Sequence, residues 1–93
     1  MRTIEWTKSF KRDYKREAKG LRRTILDTEL FLVVEVLALD HVLEKRFHDH
    51  ALTGEWQDFR DCHIRPDLVL IYQKPDKNTL RLVRLGSHSE IGL

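Results

Sequence analysis

Three imidazoles and a carboxylate recur in the second half of the chain, at His50, His63, Asp67 and His88. The stretch RDCHIRPDLVLIY, residues 60–72, sets His63 before an Arg-Pro corner and Asp67 just after it, where an apolar run begins. Imidazole has an unperturbed pKa of about 6.5, so near neutral pH one histidine can accept a proton while another donates one. That suits cleavage of RNA without a metal ion. The ribose 2′-hydroxyl must lose a proton to attack the adjacent phosphate, the 5′-oxygen must gain one to leave, and a cation must stabilise the charge that builds up in between. Arg84 is the natural phosphate clamp, because guanidinium meets phosphate oxygens as a planar fork.

These residues need a scaffold that brings them together. Residues 2–6, RTIEW, read as a short strand, and Thr7 as the N-cap of an amphipathic helix in which Phe10, Tyr14 and Ala18 recur every fourth position. Gly20 ends that helix, and Thr24 with Asp27 three residues on opens a second, mostly buried one through ILDTELFLVVEVLALD. Its valines would suit a strand, but about fifteen residues without Gly or Pro favour a helix. Phe31 shares a stripe with Asp27 and Glu35, which predicts partial exposure. Residues 40–54 lack a sustained period and read as a connecting segment, so His48 and His50 are expected on a loop.

Three strands follow: EWQDFRDCH, then DLVLIYQK after Arg65-Pro66, then TLRLVRLGSH after the turn PDKN. Short connections imply an antiparallel meander. The predicted fold is α+β, one domain over residues 1–93, with both helices on one face of a mostly antiparallel sheet. In a meander the end of the first strand and the start of the second are neighbours, so His63 and Asp67 are expected within reach of each other. The third strand ends at the same edge and carries His88 towards them. Arg84 is expected to share its strand parity with His88.

Charge is segregated along the chain. Residues 1–23 hold nine Lys/Arg against three Asp/Glu, and residues 24–61 hold three against nine. Screening confines charge effects to about 8 Å, so a local basic surface attracts polyanions even though the net charge is only +2. Lys8, Lys11, Lys15 and Lys19 are the candidate nucleic-acid contacts, unless they merely solvate a helix face. The single cysteine, Cys62, cannot form an internal disulfide, and MRTIEWTKSF has no apolar core of a signal peptide. A soluble cytoplasmic protein with no membrane partner is expected.

Each candidate also has a plainer reading. Asp67 could cap a hairpin, Arg84 could pair with a surface carboxylate, Asp61 could balance Arg60, and Cys62 could be a small packing residue. His48 and His50 form an HxH pair that could join His63 on zinc, but no closed set of ligands stands at structural spacing, so neither metal nor cofactor is expected.

Taken together, DHxLxGxW at 49–56, RDxHxxPDxxLIY at 60–72 and RxGxH at 84–88 resemble the YafQ branch of the RelE-type bacterial toxins. The resemblance spans the whole chain and implies a small α+β ribonuclease fold. It implies cutting of messenger RNA within translating bacterial ribosomes and inhibition by a cognate antitoxin, DinJ-like or RelB-like. It implicates His50, His63, Asp67 and His88 in catalysis, with Asp61 and Arg84 contacting RNA. His50 is then the expected general base and His88 the general acid. The chain ends Ile91-Gly92-Leu93, without the aromatic that relatives often carry there to stack on a base. The rival function is a toxin of the same fold that binds a protein target, such as a topoisomerase, without chemistry. Such a toxin would not need three histidines at one edge.

Overall fold

Thr7 separates the first two elements as its sequence position predicts. Its backbone is extended, and its hydroxyl accepts a hydrogen bond from the Phe10 N–H at 3.2 Å, closing β1 (Thr3–Trp6) and opening α1 (Lys8–Ala18). The computed structural model describes residues 1–93. On α1 the apolar stripe departs from expectation at Ala18, which is exposed, while Asp13 and Glu17 are buried beside Phe10. The reason is that α1 lies along the part of β5 that β1 leaves unpaired, where carboxylates find donors.

The second helix forms in three consecutive pieces: an α-helical turn, Arg23–Ile25 (α2), a π-helical stretch, Leu26–Leu30, and α3 (Phe31–Ala38). Phe31 is half-exposed, as predicted, and packs near Trp6 and Tyr14, with ring centroids 6.3 and 6.1 Å away.

Three antiparallel strands follow: β3 (Arg60–Arg65), β4 (Leu68–Asp76) and β5 (Thr79–Gly86). Here the meander prediction holds. The sheet is larger than predicted, in the order β1-β5-β4-β3-β2, and β1 pairs in parallel with β5, from Thr3↔Thr79 to Trp6↔Leu82. The segment read as a loop contains a two-residue strand, β2 (His50–Ala51), antiparallel to β3. The strand expected from Glu55 starts only at Arg60, because Gly54–Trp56 forms a 3-10 turn. His88 does not extend β5 but opens a short helix, α4 (His88–Ile91).

Both long helices cover one face of the sheet, as predicted. Phe10, Leu26, Leu30, Val33 and Leu37 form one core with Leu70, Tyr72, Leu80, Leu82 and Leu85. On the other face Ile91 of α4 packs with Val69 and Ile71, and Leu52, Trp56, Phe59 and Val83 pack around them. With both its faces covered, the run from Leu68 to Tyr72 is buried throughout.

Candidate active site

Alternation along β3 sends Cys62 and Ile64 into the helix-covered core and Asp61 and His63 to the opposite face. Register then aligns a row across the sheet. His50 pairs with Asp61, Asp61 with Ile71, and Ile71 with Arg84. His88, at the start of α4, faces this row from beyond the end of β5. His63 lies among the other histidines, its ring centroid 5.5 Å from His48, 6.5 Å from His50 and 5.1 Å from His88.

The centre of the group is Asp61, only 1% exposed. Its Oδ1 lies 3.5 Å from His63 Nε2 and 3.9 Å from His50 Nδ1, and its Oδ2 lies 3.7 Å from His88 Nε2. Oδ1 is buried without a hydrogen-bond partner. A carboxylate so placed draws hydrogen-bond donors towards it, because a buried charge without compensation costs several kcal/mol. Asp61, expected to contact RNA, is covered here and faces the histidines.

Each imidazole is set differently. The carbonyl of His48 can only accept a hydrogen bond, so at 2.6 Å His50 Nδ1 carries a proton and donates it, which in the neutral ring leaves the lone pair on Nε2. Burial pushes the pKa of His63 down, against the pull of Asp61, and the neighbouring His88, His48 and His50 add to the lowering. His63 is thus held neutral near pH 7. His88 stands on a helix capped at both ends of its first turn, where the Ser87 hydroxyl accepts from the Glu90 N–H and the Glu90 carboxylate accepts from the Ser87 N–H.

Asp67 is not drawn into this group. It sits at the tip of the β3–β4 hairpin, 70% exposed on its side chain, and its carboxylate pairs with Arg22 at 3.4 Å. No hydrogen bond or ion pair joins it to His63, because the register shift between His63 and Arg65 interrupts the direct pairing before the turn. Arg84 is more enclosed than expected. Its Nε and Nη2 lie 2.6 and 3.4 Å from the fully buried carboxylate of Asp13. Arg84 and His88 do not share a strand parity, since β5 stops at Gly86 and His88 opens a helix.

Lys8, Lys11 and Lys15 are exposed on α1, and Lys19 is exposed at its C-cap. With Arg12 and Arg16 they line an open groove of about 610 Å³. Cys62 is buried, and burial pushes its thiol pKa far up, so it packs rather than reacts. Three ligand atoms that could hold a metal ion lie within 4.8 Å of one another, on Asp61, His63 and His88. This set differs from the His48, His50 and His63 alternative, since neither His48 nor His50 belongs to it.

Sequence reasoning missed the central place of Asp61, the burial of Asp13 and the helix that carries His88. Only the last had a local signal: Ser87 followed three residues on by Glu90 is a capping-box pattern.

Comparison with known proteins is consistent along the whole chain. The family model described as a bacterial toxin of type II toxin-antitoxin system, YafQ, matches residues 2–92. The mRNA interferase toxin YafQ of Escherichia coli is 32% identical over 90 residues, covering 97% of this chain and 95% of the relative. A metal-bound toxin from Helicobacter pylori is similar in structure, with a TM-score of 0.83 and 47% identity over 98% of this chain and 99% of the other. The E. coli DinJ-YafQ toxin-antitoxin complex contains a chain with a TM-score of 0.82 and 31% identity, over 97% of this chain and 96% of that one.

Proposed function

The chain belongs to the YafQ family of bacterial toxins of type II toxin-antitoxin systems, and we propose that it is an endoribonuclease that cuts messenger RNA on translating ribosomes. The observation that carries this reading is the convergence of His50, His63 and His88 on the single buried carboxylate of Asp61. Two imidazoles in different states are what transfer of a phosphoryl group from an RNA strand to its own 2′-hydroxyl requires.

In the proposed reaction His50 Nε2, left as acceptor by the Nδ1 hydrogen bond to His48, takes the 2′-hydroxyl proton. The 2′-oxygen attacks phosphorus, the bond to the 5′-oxygen breaks, and His88 gives that oxygen its proton. The products are a 2′,3′-cyclic phosphate and a 5′-hydroxyl. Asp61, 3.7 Å from His88 Nε2, orients that ring and stabilises His50 once it is charged. Neutral His63 fills the space between them and orients both. Arg84, aimed by Asp13, meets the phosphate from the far end of the row, and exposed Asp67 faces the RNA at the rim, steadied by Arg22. The lysines of α1 dock the protein on ribosomal RNA.

No metal ion is needed in this scheme. A transition-metal ion would suit the nitrogen and oxygen donors of Asp61, His63 and His88, where it would add positive charge but occupy the lone pairs that proton transfer uses. The protein acts as one domain, in the cytoplasm where translating ribosomes are, and a DinJ-like antitoxin is its inhibitor. No helix is long and apolar enough to cross a membrane.

Incubation with translating ribosomes followed by primer extension tests the reading. Discrete cuts with cyclic-phosphate ends are expected, and His50→Ala and His88→Ala should each lose two to about four powers of ten in rate. Full-rate cleavage by His88→Ala would remove the acid assignment. Growth arrest without any cut message would favour the rival that binds a protein target.

A further inference from the structure

The strand that carries His50 is too short to hold it. β2 offers two residue pairs, His50↔Asp61 and Ala51↔Arg60, at the exposed edge of the sheet. It follows His48, whose backbone is left-handed at φ 48°, in a segment without other regular pairing. An isolated pair of such residues frays readily. Yet the proton placement on His50 depends on one contact with the His48 carbonyl, so the backbone from His48 to His50 needs a fixed point.

One is present on the opposite face of the sheet. Asp49, between the two histidines, turns its carboxylate away from them. Its Oδ1 accepts from the Tyr72 hydroxyl at 2.6 Å and from Arg60 Nε at 3.2 Å. Tyr72 is 1% exposed, belongs to the main core, and lies on β4 opposite Arg60. Arg60 Nε also reaches the Tyr72 oxygen at 3.3 Å. Burial, and then the hydrogen bond to Asp49, push the hydroxyl pKa far up, so it stays protonated and donates.

We propose that Tyr72 and Asp49 are positioning residues for His50: the core hydroxyl pins the Asp49 carboxylate from below the sheet, which fixes the His48 carbonyl and keeps the His50 ring protonated on Nδ1 with Nε2 turned towards the substrate. This rests on the reading of His50 as general base. Neither residue touches RNA. Their effect passes through three consecutive backbone units, and a loss of order there costs rate rather than binding, because a misplaced base enters only the chemical step.

Tyr72→Phe keeps the ring in the core and removes only the hydroxyl. It should lower kcat on translating ribosomes roughly tenfold with KM unchanged. Long-range proton–nitrogen NMR of the imidazoles should show His50 passing from the Nδ1–H form to a mixture of tautomers. Asp49→Asn, which retains an amide oxygen as acceptor, should stay within about threefold of the parent, whereas Asp49→Ala should resemble Tyr72→Phe. Ile4→Ala, on β1 at the sheet edge opposite β2, controls for stability. The proposal is overturned if Tyr72→Phe leaves kcat and the His50 spectrum unchanged, or if Ile4→Ala at matched stability reproduces both effects. Should His50→Ala itself prove fully active, the base reading fails, and the tautomer shift alone then decides whether Tyr72 positions the ring.

Discussion

Asp13 and Arg84 are joined across 71 residues of sequence by a 2.6 Å contact between Oδ2 and Nε. The same Oδ2 accepts from the Leu85 N–H at 3.0 Å, and Arg16 Nη2 donates to the Leu85 carbonyl at 2.8 Å. Beyond Leu82 the edge of β5 has no partner strand, and side chains of α1 supply the missing donor and acceptor. The helix is therefore tied to the strand by the group that also aims the proposed phosphate clamp.

Removing Asp13 should unsettle this edge. Asp13→Ala leaves the Arg84 guanidinium, only 18% exposed on its side chain, without its partner. A loss of about 3 to 5 kcal/mol in stability is expected in urea denaturation. The double variant Asp13→Ala/Arg84→Met should recover part of it. A single-variant loss below about 1 kcal/mol would show that water replaces the carboxylate without cost.

Acid should weaken the fold through the same group. Burial alone would raise the Asp13 pKa, but the hydrogen bond from Arg84, the Leu85 amide and the charges of Arg84 and Arg16 together hold it below the usual carboxylate value. A depressed carboxyl adds stability above its unfolded pKa, about 3.9, and that stability is lost as pH falls through the folded value. Asp40 behaves alike, lowered to about 2 by Lys74 and Arg2. Denaturation midpoints should fall steadily below about pH 5, and Asp13→Asn should flatten the slope.

Glu90 should matter to cleavage although it stands away from the reacting atoms. Its carboxylate caps α4 and lies 3.4 Å from Arg16 and 3.6 Å from Arg22. Glu90→Ala removes all three ties, so the turn that holds His88 should fray and kcat should drop about tenfold, with the melting temperature nearly unchanged. A rate equal to the parent's would mean that Ile91 alone seats the helix.

The basic groove should govern docking without governing the cut. Phosphate contacts act by counterion release and carry little sequence information. Lys11→Ala/Lys15→Ala should lower the slope of log affinity against log salt by about 2 in ribosome-binding titrations and leave the codon preference as it was. An unchanged slope would assign this face to solvation.

Much of the fold could be read from local pattern. Thr7 as a cap, the uninterrupted helix after Thr24 and the meander from Arg60 onwards each have a signal in a few consecutive residues. β2 has none, because two residues at a sheet edge cannot show a period. The parallel pairing of β1 with β5 is a contact between chain ends that no window contains. At the site, the histidines were legible by type, but which carboxylate they share was not. Asp67 looked nearer by turn geometry, whereas strand alternation, with the short β2 and the helix after Gly86, selects Asp61. The burial of Asp13 has no local signal, because its partner Arg84 lies in another element.

The parallel pairing also has a consequence for synthesis. Thr3 to Trp6 can join the sheet only after Thr79 to Leu82 exist. Until β5 is made, the first strand lacks its neighbour, and the row that runs from His50 through Asp61 and Ile71 lacks Arg84. Closure of the sheet and completion of the proposed site are therefore one late event, and both wait on residues 79–86 whatever has formed before them.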